Sequence, residues 1–178
     1  RVIDSRILMS VIEGVVRLAI FLGYVAAISL MKDIQRVFMY HGAEHKTINC
    51  FEAGVPLTPE NVKKYSRYHK RCGTSFLFIV MIISIFVFMF IDAHSAWLRM
   101  LIRLLLIPII AGLSYEFIMF AGKSDSWIAN VLSAPGKWVQ RLTTREPDLD
   151  MIEVAIASVE GVIDWREYQE AMHEGKIE

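Results

Sequence analysis

Three long apolar runs constrain this chain more than any other feature of its sequence. They occupy residues 11–31, 75–91 and 104–121. A helix needs about 20 mostly apolar residues to cross the hydrocarbon core of a bilayer. Hydrophobic residues make up 54% of the 178 residues, against about 45–50% in soluble domains. We therefore predict an all-α, polytopic membrane protein with about three transmembrane helices, which makes the lipid bilayer its first partner.

The first apolar run also contains charge. Glu13 and Arg17 lie four residues apart, so they share a helical face and can neutralise each other. Charges inside a span are costly and usually face protein or water. A tilted span is our interpretation of this run, with a re-entrant or surface helix as the alternative.

The distribution of lysine and arginine predicts the topology. The segment 32–73 carries eight such residues, whereas the segment after the second run carries only Arg99 and Arg103 before the third. Positive charge favours the cytoplasmic side, so the segment 32–73 and the C-terminus are predicted to be cytoplasmic. The formal net charge is zero, which gives no case for a nucleic-acid partner.

The polar parts of the chain also have helical signals. Segment 33–51 is predicted as helix, and Thr58-Pro59 is predicted to start a short helix that ends near residue 68. Residues 127–139 are predicted as a helix lying in the membrane interface. We expect a membrane domain over 1–140 and a soluble helical tail over 141–178. The tail has an apolar stripe that needs a partner: Met151, Ile152, Ala155, Ile156, Val159, Val162 and Ile163.

The densest chemical feature is the motif His41-Gly-Ala-Glu44-His45. On a helix, His41 and His45 share a face, so both imidazoles can reach one ion. The order H-x-x-E-H is that of the inverted zinc-peptidase motif, in which glutamate takes a proton from water. Such a site needs a third protein ligand. Glu116, a lone carboxylate late in the third run, and His69 are the candidates.

The cysteines offer two other interpretations of the same segment. His45, Cys50, His69 and Cys72 could form a closed structural zinc site, which has no open position and no catalysis. Alternatively, Cys72 could be a thiolate nucleophile, with His69 three residues before it. The hypothesis without a metal is a hydrogen-bonded surface helix. Three of the five histidines and both cysteines lie between residues 41 and 72, which favours a divalent transition metal, zinc first.

Four separated motifs resemble one family. They span residues 38–52, 71–76, 112–116 and 142–147, and they read FMYHGAEHKTINCFE, RCGTSF, GLSYE and LTTREP. They resemble the YqhQ-like family of bacterial multi-pass membrane proteins, described as predicted metal-dependent enzymes without an assigned reaction. The family's second motif usually reads His-Pro-Arg-Cys, and His69-Lys70-Arg71-Cys72 keeps its histidine and cysteine.

The resemblance covers nearly the whole chain. It implies a location in the bacterial cytoplasmic (inner) membrane, and an N-terminal region ahead of the first span that we expect outside this sequence. It implies no substrate. It assigns the metal role to seven residues: His41, Glu44, His45, Cys50, His69, Cys72 and Glu116.

Two functional hypotheses follow. The first is a metal-dependent hydrolase at the cytoplasmic membrane surface, with Glu44 as general base and a peptide or lipid head group as substrate. The second is a non-enzymatic scaffold, channel or transporter subunit with a structural metal, in which Glu13, Arg17 and Glu116 line a polar path or an oligomer interface. Small residues at the start of the second run and the apolar stripe of the tail favour a homo-oligomer. Three protein ligands would support the enzyme, and four would support the scaffold.

Overall fold

A computed structural model describes residues 6–91, 95–123 and 126–173, and every regular element in these ranges is an α-helix. The all-α prediction is therefore confirmed. The chain divides into two compact units, residues 1–27 with 70–139 and residues 28–69 with 140–178. The helices are α1 (Arg6–Ile28), α2 (Lys32–Glu52), α3 (Pro59–Val62), α4 (Gly73–Met89), α5 (Ala96–Lys123), α6 (Trp127–Thr143), α7 (Leu149–Glu160) and α8 (Trp165–His173).

The first unit contains α1, α4, α5 and most of α6. Two of its helices, Leu8–Ile28 and Ala96–Lys123, are long and apolar enough to cross a membrane, while α4 has only 17 residues. A helix of that length reaches about 26 Å, short of a hydrocarbon core of about 30 Å. In the part of the chain that the structure describes, two helices are therefore long enough to span a membrane, and not about three as predicted.

Packing inside the first unit is close. The two consecutive helices α4 and α5 pack against each other. A Cβ on Gly14 of α1 would overlap the side chain of Ile85 on α4, so the glycine allows these two helices to approach each other.

The second unit is built on α2. Helices α3 and α7 both pack against it, and the apolar stripe of α7 is buried there through Met151, Ile152 and Ile156. The predicted stripe was too long, because α7 ends at Glu160 and Val162 beyond it is 84% exposed. The stripe therefore has its partner within the same chain and gives no support to a homo-oligomer.

The helix predicted after Thr58 begins where expected but is shorter. Thr58 Oγ1 accepts a hydrogen bond from Asn61 N at 3.4 Å, and Pro59 occupies the first helical position. The helix then ends at Val62 rather than near residue 68. The N–H groups of residues 63–65 still donate to carbonyls of the turn before them, but the carbonyls that would continue the helix accept from side chains of α2 instead.

Side chains of α2 hold this segment through its carbonyl groups. Lys46 Nζ donates to the carbonyls of Lys63 and Tyr65 at 3.0 and 2.8 Å. Asn49 Nδ2 donates to those of Ser66 and Tyr68 at 2.7 and 3.0 Å. We call residues 63–69 the anchored segment.

A glycine allows the chain beyond α6 to lie directly on α2. Arg145 N donates to Phe38 O at 2.8 Å, and Arg145 NH2 reaches Ser29 O at 3.1 Å. The carbonyl oxygen of Arg145 occupies the space that a Cβ on Gly42 would need. This contact requires Gly42 between the two histidines of the motif.

We expect Gly42→Ala to destabilise the protein by about 1–3 kcal/mol, the range for overpacking at a well-packed site. A backbone carbonyl cannot rotate away as a side chain can, so the segment must shift. Thermal unfolding of the detergent-purified protein measures the effect. The matched control is Gly23→Ala, a helical glycine with nothing within 4 Å of its Cβ position. Equal midpoints for the two variants would contradict this account of Gly42.

Candidate metal centre

The two motif histidines lie together on α2 as predicted. The ring centroids of His41 and His45 are 4.3 Å apart, with an interplanar angle of 63°. Each Nδ1 lies 2.8 Å from a backbone carbonyl oxygen, that of Thr143 for His41 and that of Arg67 for His45.

These two hydrogen bonds fix the tautomer of each ring. A carbonyl oxygen can only accept, so each Nδ1 carries the proton and donates it. In the neutral imidazole, Nε2 then presents a lone pair. Metal-binding histidines in proteins are held in this way, with the second ring nitrogen donating to a carbonyl or carboxylate.

Cys72, another candidate ligand predicted from the sequence, belongs to the first unit. Cys72 is the N-cap of α4, and its Sγ is 3.1 Å from Thr74 Oγ1. A helix N-terminus favours negative charge, which suits the thiolate form that binds metals.

His69 lies beside the histidine pair. Its ring centroid is 5.9 Å from that of His45, and its Nε2 lies 3.1 Å from Glu52 Oε2. The side chain of Gln140 holds its backbone twice, accepting from His69 N at 2.9 Å and donating to His69 O at 2.7 Å. Neither partner was predicted from the sequence. Glu52 is inside a quoted motif, but Gln140 gave no signal, since it is 71 residues away from His69.

Lys46 is buried and holds the anchored segment, whereas the sequence indicated only that its charge contributes to the membrane topology. Its Nζ lies 2.7 Å from Glu146 Oε1 and also donates to the two carbonyls of the anchored segment. All three ammonium hydrogens therefore have acceptors, which a buried charge needs. Lys46 and Glu146 are 100 residues apart in the chain, so the sequence did not predict this ion pair.

Cys50 lies in the apolar core of the second unit. It is fully buried with Leu57, Val62 and Ile152 around it, and its Sγ donates to Val55 O at 3.6 Å. Burial raises the pKa of the Cys50 thiol, with the nearby charge of Lys64 acting in the opposite direction. A raised pKa disfavours the thiolate, so the two cysteines differ in their suitability for a metal.

The two carboxylates of the hypothesis are both exposed. Glu44 lies on α2 next to His45, and Glu116 lies on α5 in the first unit. In the first unit, two arginines pair with Glu13: Arg17 Nη2 is 3.4 Å and Arg103 Nη2 is 3.2 Å from Glu13 Oε2.

The fold and these side chains define an all-helical protein with long apolar helices and a pair of neighbouring histidines, His41 and His45, that could hold a metal ion. A family model described as "Protein of unknown function (DUF1385)" matches residues 1–165, so the chain belongs to that family. The chain is 44% identical over 148 residues to "Uncharacterized protein YqhQ" of Bacillus subtilis (strain 168), which confirms the resemblance. The match covers 83% of this chain and 46% of that relative, so the chain spans about half the relative's length. No solved structure matches it.

The two cysteines should respond differently to the same substitution. We expect Cys50→Ala to keep the parent's zinc stoichiometry and to cost about 1 kcal/mol of stability through a small cavity. Cys72→Ala should weaken zinc binding by more than about 100-fold, beyond the loss typical of an outer-shell partner. Elemental mass spectrometry after dialysis against graded zinc buffers measures both. Zinc lost equally from the two variants would instead support the closed site that includes Cys50.

Proposed function

We propose that this chain is part of a multi-pass protein of the bacterial cytoplasmic membrane that binds zinc and acts as a metal-dependent hydrolase. His41 and His45 are ligands in this proposal, Cys72 of the sequence motif is the third, and Glu44 is the general base. The observation that carries it is the pair of Nδ1–H···O=C hydrogen bonds at 2.8 Å, which leaves both Nε2 atoms with lone pairs.

The exposure of the apolar helices supports a membrane location. Only 11% of the apolar stretch in Leu8–Ile28 and 22% of the apolar stretch in Ala96–Lys123 are buried. Neither helix is therefore the buried core helix of this structure. Large apolar side chains such as Ile20, Phe86 and Leu104 are more than half exposed. Soluble proteins rarely present such continuous apolar surface, whereas lipid accepts it. Helix α4 can be a third, short span, because a bilayer thins locally around a short apolar helix.

The proposed orientation places α2 and the C-terminus in the cytoplasm. It depends on the excess of lysine and arginine in the segment 32–73 and after the third apolar run. A cytoplasmic location also keeps thiols reduced, as a cysteine ligand requires.

The donor set suits zinc. Two imidazole nitrogens and one thiolate are ligands that zinc takes in tetrahedral sites, and three protein ligands leave one position open, as in catalytic sites. Zinc bound there would lower the pKa of a water molecule toward neutrality.

The residues of the chain supply the remaining chemistry. Glu44 is exposed and lies three residues after His41 on the same helix, so its carboxylate can accept a proton at the site and pass it to solvent. The hydrogen bonds from the rings to Thr143 O and Arg67 O orient the ligands. The substrate class in this proposal is a peptide or a lipid head group.

His69 favours a second candidate function. Its position beside His45, fixed by Glu52 and Gln140, offers a fourth nitrogen ligand. Four protein ligands would make a closed structural site. The protein would then be a non-enzymatic scaffold, channel or transporter subunit.

Cobalt substitution separates the two candidates without knowledge of the substrate. Full-length protein purified in detergent is loaded with Co²⁺ and titrated with acetohydroxamate, a small chelator that needs an open coordination position. We expect a saturable change in the visible spectrum of the parent, because three protein ligands leave that position accessible. An unchanged spectrum would favour the closed site.

Matched variants test the assigned roles. His41→Ala should lose the metal, since it removes a ligand, whereas Glu44→Gln should keep the parent's metal content. His69→Ala should keep the hydroxamate response if His69 is not a ligand. A parent protein that takes up neither zinc nor cobalt after addition of excess metal would refute the metal proposal.

A further inference from the structure

A second cluster of charged residues lies within the first unit, among residues that the proposed hydrolase does not use. Glu13 on α1 is shared by two guanidinium groups, Arg17 at 3.4 Å and Arg103 of α5 at 3.2 Å. Two arginines on one carboxylate leave the cluster with a net positive charge. All three residues lie within helices that the proposal places in the membrane, where unbalanced charge is costly.

Arg103 is the most enclosed member of the cluster. Its side chain is 26% exposed, and its guanidinium carbon lies 5.1 Å from the centroid of the Phe88 ring. Its Nε is buried and has no hydrogen-bond partner among the described residues. Buried donors in proteins nearly always have an acceptor, so this N–H indicates a further negatively charged or polar group at the cluster.

The cluster lies toward the side of the unit where α4 ends and α5 begins. Glu13 is seven residues into α1 and Arg17 is at its middle, Phe88 is in the last turn of α4, and Arg103 is seven residues into α5. Seven residues of helix correspond to about 10 Å of depth. An arginine at that depth extends its head group toward the membrane interface. In the proposed topology this side faces away from the cytoplasm, where arginines are disfavoured and therefore need a counter-charge.

We propose that Arg17 and Arg103 form a binding site for a phosphate group, supplied by the head group of an anionic phospholipid. The planar guanidinium fork matches a phosphate with two parallel hydrogen bonds. Arg17 is half exposed and so can present its fork to a lipid, while Glu13 holds both arginines at the same place. The proposal rests on the membrane location given above and is independent of the metal.

The test uses full-length protein that has been stripped of lipid in a neutral sugar detergent. Phosphatidylglycerol is added to one sample and inorganic phosphate to another, and native mass spectrometry and thermal unfolding report binding. We expect the parent to retain phosphatidylglycerol, and Arg103→Gln to weaken this binding by about tenfold or more, as for loss of a charge-assisted hydrogen bond. Arg166→Gln is the control, because Arg166 is an exposed arginine that pairs with Glu160.

A second variant tests the sign of the charge. Glu13→Gln leaves two guanidiniums without their acid, so it should tighten phosphate binding even where it lowers stability. Parent-like lipid affinity in both Glu13→Gln and Arg103→Gln would overturn the proposal and leave only an internal ion pair. Diacylglycerol, which lacks the phosphate, should not compete, and equal binding of it would also overturn the proposal.

The remaining outcomes identify the source of the phosphate and separate the proposals. Inorganic phosphate binding as tightly as phosphatidylglycerol would support the phosphate site and assign free phosphate as its ligand. Arg103→Gln should keep the parent's zinc content, so the result does not depend on the metal site. Recovery of the full-length protein in the soluble fraction without detergent would refute the membrane location, and with it the lipid as ligand.

Discussion

Five successive backbone carbonyls, those of residues 65–69, lie outside any helix and accept hydrogen bonds from side chains. The donors are Lys46, Asn49 and His45 of α2, together with Gln140 of α6. A buried polar group left without its partner costs about 1–3 kcal/mol, so this backbone conformation depends on these donors. His45 is one of these donors, because its Nδ1 donates to the carbonyl of Arg67. The fold itself thus decides which nitrogen of His45 is left for a ligand.

The same logic applies to His41 through a different part of the chain. Thr143 O accepts from His41 Nδ1, and Arg145, two residues later, lies on α2 where Gly42 has no side chain. The motif therefore combines two requirements. Its histidines can serve as metal ligands, and its glycine leaves space for the backbone whose Thr143 carbonyl orients His41. The same five residues therefore carry candidate ligands and a packing requirement.

The parts of this structure that depend on neighbours in sequence could be predicted, and those that depend on distant contacts could not. The shared face of His41 and His45, the extent of α2 and the Thr58 cap follow from local spacing and residue type. The end of α3 could not be predicted, because donors on α2 bind the carbonyls of residues 63 and 65–68, which would otherwise continue the helix. The different environments of Cys50 and Cys72 could not be predicted from the sequence either, since the apolar residues around Cys50 include Ile152 of α7. Gln140 and Glu146 act across 71 and 100 residues.

Charge balance explains how α2 can carry candidate metal ligands next to a buried lysine. Lys46 follows His45 directly, and an unbalanced ammonium there would oppose the binding of a metal cation. Glu146 at 2.7 Å neutralises it, and this acid belongs to the segment that also brings the Thr143 carbonyl to His41. Lys46 thus holds the anchored segment and the chain after α6 against the same helix without adding net charge.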